Sequence, residues 1–170
     1  VGEVLVQHLT ESGAIVTITD INEDRVHQVG AKYGAKIFTG ADLYSADVDI
    51  YAPCALGATI NDATINNIKA SIIAGAANNQ LANEAVHGKI LKEKGILYAP
   101  DFLINAGGVI NVYSELVKWT NAQVMEKTEN IYNTALEIFK FADDNNITTH
   151  QAAFSMAQKR IDDAKNELKK

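Results

Sequence analysis

The sequence predicts an α/β fold, in which a doubly wound parallel sheet is followed by C-terminal helices. Short β-branched runs alternate with helical patterns along most of the chain, as expected for parallel strands joined by helical crossovers. The runs are apolar along most of their length, which is typical of strands that helices cover on both faces. After Asp101 no strand pattern follows, and only helical periods remain.

The composition is that of one folded domain. The chain has 170 residues, of which 47% are hydrophobic and 21% are charged, and it is long enough to bury a core. Its net charge of −6 disfavours nucleic-acid and membrane-surface partners, because both need clustered Lys and Arg. A single cysteine, Cys54, excludes an intrachain disulfide, and no apolar run reaches the ~18–20 residues of a membrane span. We therefore expect a cytoplasmic protein.

The predicted strands are five short apolar runs. They are Ala14–Thr19, Ala35–Phe38, Val48–Ala52, Ser71–Ala74 and Ile96–Ala99. Between them, Asn22 is placed to cap a helix that Gly34 ends, and Asn61 and Gly95 are expected to play similar roles further on.

The C-terminal part is predicted to be helical. Its periodic stretches are Asn105–Trp119, Asn121–Asp144 and His150–Lys170. We therefore expect an α/β domain over residues 1–120 and a helical segment over residues 121–170 that packs on it.

The N-terminal residues match the second half of a dinucleotide-binding βαβ unit. Gly2 opens a helical pattern that Gly13 ends, and the strand that follows ends at Asp20. In such a unit a glycine-rich turn opens the helix, and an acidic residue about 20 positions on binds the ribose. Spacing alone leaves open that Gly2 is an arbitrary start and Asp20 an ordinary turn residue. On the first interpretation the sheet is Rossmann-like and lacks its first strand and most of the glycine-rich turn.

The first strand of such a sheet has neighbours on both sides. Without it, two long strand edges would be exposed, and exposed edges are costly or prone to aggregation. We therefore expect the sheet either to close up without that strand or to borrow pairing from another chain.

Four segments carry a family resemblance. The segments 16–22 (VTITDIN), 52–57 (APCALG), 73–81 (IAGAANNQL) and 98–112 (YAPDFLINAGGVINV) closely resemble the C-terminal NAD-binding domain of the glutamate, leucine, phenylalanine and valine dehydrogenase family. Within it the leucine dehydrogenases look nearest. The resemblance covers essentially the whole chain, and it implies oxidative deamination of an L-amino acid to its 2-oxo acid, with hydride transfer to NAD.

The resemblance implies roles at the adenosine end of NAD. Asp20 would accept hydrogen bonds from the ribose hydroxyls and repel the extra phosphate of NADP. Ile21 and Asn22 would flank the adenosine. Gly2 would let its helix begin close to the pyrophosphate, where free backbone N–H groups favour anions.

Three further motifs follow strands whose carboxyl ends should meet in one crevice. By resemblance, Cys54, Ala55 and Leu56 form a loop beside the cofactor, and Ala74 and Gly75 belong to the next cofactor-binding loop. A nucleophilic role for the cysteine is disfavoured, because no base can be placed beside it by pattern.

Two asparagines are the candidate polar groups of the crevice. By resemblance, Asn79 would orient the substrate carboxylate and the nicotinamide region, and Asn105 would contact the nicotinamide end. An amide supplies a donor and an acceptor without a charge. The alternative is that each asparagine only bonds its own backbone.

Val109 and Val112 lie three residues apart on a predicted helix, so they share a face. By resemblance they line the pocket for the substrate side chain. Aliphatic walls suit leucine or another branched-chain amino acid and disfavour glutamate, whose second carboxylate would have no partner. Phenylalanine and valine remain possible substrates, and core packing is the alternative role for both residues.

No residue of this chain is expected to be catalytic. Family members carry their catalytic lysine and aspartate in an N-terminal domain that this chain does not contain, so the chain alone is expected to be inactive. The four histidines show no metal-ligand spacing, and we expect no metal. The full-length enzyme is expected to be a homo-oligomer. A non-catalytic NAD-binding or interaction module is the competing interpretation.

Overall fold

The computed structural model describes residues 1–168. Lys169 and Lys170, with which the last predicted helix ends, lie outside the described residues. The elements in chain order are α1 (Gly2–Glu11), β1 (Thr17–Ile18), α2 (Glu23–Tyr33), β2 (Lys36–Ile37), a 3₁₀ turn (Leu43–Ser45), β3 (Ile50–Tyr51), β4 (Ile72–Ile73), α3 (Glu84–Glu93), β5 (Leu97–Tyr98), α4 (Asp101–Ile104), α5 (Gly107–Val117), α6 (Asn121–Glu129), α7 (Ile131–Asn145) and α8 (Thr149–Glu167). The protein is thus a mixed α/β structure with small parallel sheets and C-terminal helices.

Every strand lies inside its predicted run, but each contains only two residues. β1 pairs with β2 in parallel, with Ile18 opposite Ile37, and β3, β4 and β5 form a second parallel sheet. The apolar runs extend beyond the paired residues because their flanks are buried as well. Ile96 and Ala99, on either side of β5, are both in the core.

Within the described residues the sheet does not close up, so the first of the two expected alternatives is wrong, and pairing with another chain stays a prediction. β1–β2 and β3–β4–β5 remain two separate sheets. Each packs on its own apolar cluster, which holds its strands in place. Val6, Val29 and Ala35 lie against the first sheet. The cluster of the second sheet consists of Ile60, Ile65, Ile68, Ala70, Ile73, Leu81, Leu91, Ile96 and Tyr98.

Helix ends follow the sequence signals with one exception. The side chain of Asn22 accepts a hydrogen bond from the N–H of Arg25 at 3.0 Å, and Gly34 is left-handed after α2. Gly95 is left-handed after α3. The predicted cap at Asn61 is wrong, because that residue begins a run of turns rather than a helix. The carbonyl of Asn61 accepts from Ile65 at 2.9 Å, but the helical pattern does not continue beyond this turn.

The stretch predicted as one helix from Asn121 to Asp144 is two helices, α6 and α7. Asn130 lies between them, and its side chain accepts a hydrogen bond from Asn133 at 3.2 Å. The backbone N–H of Asn130 still bonds to Glu126 and its carbonyl to Thr134, so the side-chain bond replaces neither helical bond. Among the described helices, none has the length and apolarity to cross a membrane.

The connection between α7 and α8 contacts the second sheet and α3. The hydroxyl of Thr149 donates to the carbonyl of Tyr98 at 2.6 Å. Nε2 of His150 lies 3.0 Å from a carboxylate oxygen of Glu84. Nζ of Lys92 donates to the side chain of Asn146 at 2.6 Å. These contacts fix α8 beside β5.

Replacing Gly75 by alanine should destabilise the protein by about 1–3 kcal/mol, the usual cost of overpacking. A Cβ there would overlap the backbone of Pro53 and lie 2.6 Å from its Cδ. The free energy of unfolding in urea measures the effect. Gly108→Ala is the matched control, because nothing lies within 4 Å of its added Cβ. Equal stability of both variants would contradict this packing.

Tyr51 should make stability depend on alkaline pH. Burial raises the pKa of Tyr51 from 10.0 to about 12. Above pH 10 the unfolded chain loses this proton while the folded chain retains it, so stability is full below pH 10 and falls as the pH rises towards 12. Burial also raises the pKa of Tyr98.

In Tyr51→Phe, therefore, the melting temperature measured by circular dichroism should fall less between pH 10 and 11.5 than in the unmodified protein. Some alkaline loss of stability should remain in this variant because Tyr98 is still present. The exposed Tyr132 supplies the control. An equal alkaline loss in Tyr51→Phe, Tyr132→Phe and the unmodified protein would refute the assignment to Tyr51.

Candidate functional site

The carboxyl ends of β3, β4 and β5 lie at one edge of their sheet. The segments that follow these strands are residues 52–58, 74–82 and 99–107, which we call the crevice loops. Ligands of open parallel sheets bind at this edge. The crevice loops contain most of the residues that the sequence singled out.

The first two crevice loops pack backbone against backbone. The N–H of Ala77 donates to the carbonyl of Pro53 at 2.9 Å, and the N–H of Ala58 donates to the carbonyl of Asn79 at 2.7 Å. A Cβ at Gly57 would lie only 2.7 Å from the carbonyl oxygen of Asn78. Small residues are therefore required where these loops meet.

Gln80 holds the second crevice loop together from inside. Its side chain is 0% exposed, and its Nε2 donates to the carbonyls of Gly75 and Ala77 at 2.6 and 2.9 Å. Its own carbonyl accepts from Ile60 at 3.0 Å. Its Oε1 is buried and has no hydrogen-bond partner within the described part of the chain.

Asp101 connects the second and third crevice loops. The residue is only 6% exposed. Its Oδ2 accepts from the backbone N–H of Gln80 at 3.1 Å, and its Oδ1 accepts from the N–H of Phe102 at 2.9 Å. The carboxylate therefore lies between two strand ends that are adjacent in the sheet.

Two asparagine side chains meet at the surface of the crevice. Nδ2 of Asn105 donates to Oδ1 of Asn78. Asn79, which the sequence singled out, is exposed beside this pair and is left-handed, with φ 52°. The structure thus brings Asn105 to the predicted loop, but its direct partner is Asn78.

The remaining predicted residues near the crevice lie at the start of α1 and in the first two crevice loops. A Cβ built at Gly2 would lie 3.5 Å from the Cβ of Cys54, so the helix begins beside the first crevice loop. Cys54 is half-buried, while Ala55 and Leu56 are exposed. In the second loop, Ala74 is half-buried and the neighbouring Gly75 is buried.

Asp20, Ile21 and Asn22 form a separate group at the end of β1. Oδ1 of Asp20 accepts from the N–H of Asn22 at 3.0 Å, which closes a local turn. The side chain of Ile21 is fully exposed. The Asp20 carboxylate keeps Oδ2 for a ligand that donates hydrogen bonds.

Beside this group, Glu3 ties α1 to α2. Its carboxylate lies 2.9 Å from Arg25 and 3.0 Å from Lys32. The hydrogen bond and charge of Lys32 lower the pKa of Glu3, with a smaller contribution from Arg25. The two cations of α2 are therefore already paired with a carboxylate.

Val109 and Val112 lie on the surface of α5, where they are 66% and 63% exposed. Core packing, the alternative role for these residues, is therefore wrong for this structure. Their shared face is free to contact a ligand.

The groups present could hold a dinucleotide. α1 begins at Gly2, and the first N–H groups of a helix have no partner within it, so they can bind a pyrophosphate. Asp20 offers a free acceptor oxygen, and Asn78, Asn79 and Asn105 offer amides. Within residues 1–168, no three His, Cys, Asp or Glu side chains are grouped to hold a metal.

Asn78, Gln80 and Asp101 were not among the predicted site residues. The asparagine was adjacent in sequence to one that was predicted. A buried glutamine looks no different in sequence from an exposed one. The clearest available signal was Asp101, an acidic residue three positions after the end of β5, at the edge where parallel sheets bind ligands.

Comparison with known proteins agrees with this architecture. The family model described as Glutamate/Leucine/Phenylalanine/Valine dehydrogenase matches residues 1–168. An L-tryptophan dehydrogenase of Nostoc punctiforme is 44% identical over 170 residues, which are 100% of this chain and 48% of that protein. A leucine dehydrogenase of Geobacillus stearothermophilus is 48% identical over 158 residues, 93% of this chain and 43% of that enzyme. The chain thus spans about half the length of these relatives.

The crystal structure of L-tryptophan dehydrogenase from Nostoc punctiforme superimposes with a TM-score of 0.91 at 44% identity, over 95% of this chain and 49% of that one. Sequence and structure therefore agree over nearly the whole chain. The chain belongs to the glutamate/leucine/phenylalanine/valine dehydrogenase family.

Proposed function

We propose that this chain is the NAD-binding part of an L-amino-acid dehydrogenase that converts an apolar amino acid to its 2-oxo acid. The observation that carries the proposal is the pair formed by Asn78 and Asn105 at the surface of the tightly packed crevice loops. Uncharged amides there can orient a carboxamide or a carboxylate without placing a charge beside the reacting atoms. The names of the relatives, which are amino-acid dehydrogenases, support the same reaction.

The cofactor would lie from the end of β1 to the crevice loops. Asp20 and the exposed Ile21 would bind the adenosine, with Asn22 flanking it, and the N-terminus of α1 at Gly2 would bind the pyrophosphate. NAD would supply the hydride acceptor of the reaction. Asp20 favours NAD over NADP because its charge repels a 2′-phosphate.

The two paired cations of α2 reinforce that preference. Arg25 and Lys32 are both paired with Glu3 at 3.0 Å or less. A 2′-phosphate would therefore have to compete with a carboxylate for either one.

The nicotinamide end would lie against the crevice loops. The segment Cys54–Leu56 and Ala74 would lie beside the ligand, and Gly75 would let the first two crevice loops pack closely, because a Cβ there would overlap the backbone of Pro53. Asn79 and Asn105 would hold the nicotinamide and the substrate carboxylate, with Asn78 fixing the position of Asn105.

The substrate side chain would contact Val109 and Val112. Both are aliphatic and exposed on one face of α5, and neither can pair with a second carboxylate. A branched-chain amino acid, leucine first, fits these residues, and the relatives named for tryptophan and phenylalanine make larger apolar side chains direct alternatives. Among the crevice residues described, we assign no general acid or base, and the chain alone should bind NAD without turnover.

The two sheets would be halves of one doubly wound, Rossmann-like sheet. In β1 the carbonyls of Val16 and Ile18 face β2, so the backbone of Thr17 faces the other way. In β3 the carbonyl of Tyr51 faces β4, and Ile50 faces away. A strand between these two edges, supplied by another segment or another chain, would complete the order β2–β1–strand–β3–β4–β5. Residues 1–120 would then form the cofactor domain, on which the helices from residue 121 pack, and the complete enzyme would be a homo-oligomer.

Asp20→Asn tests the cofactor assignment. Asparagine can still accept the hydrogen bond from Asn22, so the local turn is retained while the charge is lost. We expect NAD affinity to fall roughly tenfold, about 1.4 kcal/mol, and the preference over NADP to shrink. Calorimetric titration of the protein with both cofactors measures both effects.

The control is Asp24→Asn, which removes the same charge from the first turn of α2. It should leave both affinities near those of the unmodified protein. If Asp20→Asn bound NAD and NADP with unchanged affinities, the adenosine site would be elsewhere. NAD binding by the whole enzyme with no turnover of any amino acid would favour a non-catalytic module.

Val112→Ala tests the substrate pocket in the whole protein. Removing two methyl groups from an apolar contact should lower kcat/KM for leucine by roughly 10-fold or more. NADH formation, followed with leucine, phenylalanine, tryptophan and glutamate, gives the profile. Val86→Ala, an exposed valine on α3, is the control. Preferential oxidation of glutamate by the unmodified protein would overturn the apolar assignment.

A further inference from the structure

Asp101 is a carboxylate buried without a cation. Its two oxygens accept hydrogen bonds from the backbone N–H groups of Gln80 and Phe102, and the hydroxyl of Tyr98 also interacts with the carboxylate. None of the ion pairs formed within residues 1–168 includes it. A charged carboxylate buried without a cation is less favourable for stability than an apolar residue of similar shape. The residue therefore calls for an explanation other than packing.

Asp101 forms hydrogen bonds near each member of the asparagine pair. Through its side chain it holds the N–H of Gln80, two residues after Asn78. Through its backbone carbonyl it accepts the N–H of Asn105 at 3.0 Å. Asn78 and Asn105 are 27 residues apart in sequence, and Asp101 is bonded on each side of their contact.

The loop that Asp101 holds includes one residue with an uncommon backbone conformation. Asn79, between Asn78 and Gln80, is left-handed with φ 52°, a conformation that is uncommon outside glycine, although asparagine tolerates it better than most residues do. A bond immediately after such a residue helps to keep it in that conformation. Without it, the contact of Asn105 with Asn78 would be the one hydrogen bond left between the second and third crevice loops within residues 1–168.

We propose that Asp101 is a positioning residue: its carboxylate fixes the loop that carries Asn78 and Asn79 relative to Asn105, and so sets the geometry in which these amides meet the cofactor and the substrate. This inference rests on the proposed function for what the amides bind. The fixing of the loop itself does not depend on the ligand.

The test uses Asp101→Asn and Asp101→Leu in the whole protein. Asparagine retains one acceptor oxygen, and leucine retains none at a similar volume. Hydrogen exchange of a peptide spanning residues 75–81, followed by mass spectrometry, should accelerate about 10-fold in the asparagine variant and more in the leucine variant. The dissociation constant of NADH should rise about 10-fold, and kcat should fall more than the KM for the amino acid rises.

Val29→Ala is the control for stability alone, because Val29 is buried against the first sheet, away from the crevice loops. It should lower the melting temperature without changing exchange in residues 75–81. If Asp101→Leu does not fold, hydrogen exchange, NADH binding and kcat of the asparagine variant still test the proposal.

Unchanged exchange in the asparagine variant would overturn the proposal. So would faster exchange with normal NADH binding and kcat. If the unmodified protein binds no NADH, the proposed function fails, and the exchange result alone then tests whether Asp101 fixes the loop.

Discussion

The buried amide of Gln80 is the interaction on which the crevice depends. Strands of two residues form few ladder bonds. The segments of the second sheet are therefore also held together by hydrogen bonds between the loops that follow its strands. There Gln80 satisfies two carbonyls of its own loop with its side chain, and its backbone bonds to Ile60 and to Asp101. A buried donor or acceptor that lost its partner would cost about 1–3 kcal/mol, so these bonds favour a single loop arrangement.

Much of the fold could be predicted because it follows from local physical rules. β-branched runs gave the positions of the strands, and Asn22, Gly34 and Gly95 marked helix ends through hydrogen bonding and left-handed backbone. The errors came from competition that periodicity does not detect. Asn61 can begin a turn as readily as a helix, and α6 ends at Glu129 although the apolar spacing continues beyond it.

In the candidate site, the residues named by family resemblance could be predicted to lie together, and the contacts between them could not. Gly2, Asn105 and the small residues of the crevice loops come together at one strand edge, as parallel topology requires. The partner of Asn105 and the carboxylate of Asp101 depend on contacts between residues more than 20 positions apart. Hydrophobic pattern contains no information about such pairs, because both members are polar.

The sequence separation of these contacts also determines the order in which they should form during folding. The α7–α8 hairpin turns within a few residues, where the N–H of Ile147 bonds to Ala142, so its loop-closure entropy is small and it should form early. The bond from Thr149 to Tyr98 spans 51 residues, and the crevice closes only when such distant segments meet. A ligand that binds the crevice would therefore select molecules that have completed the slowest part of folding, and would add its binding energy to their stability.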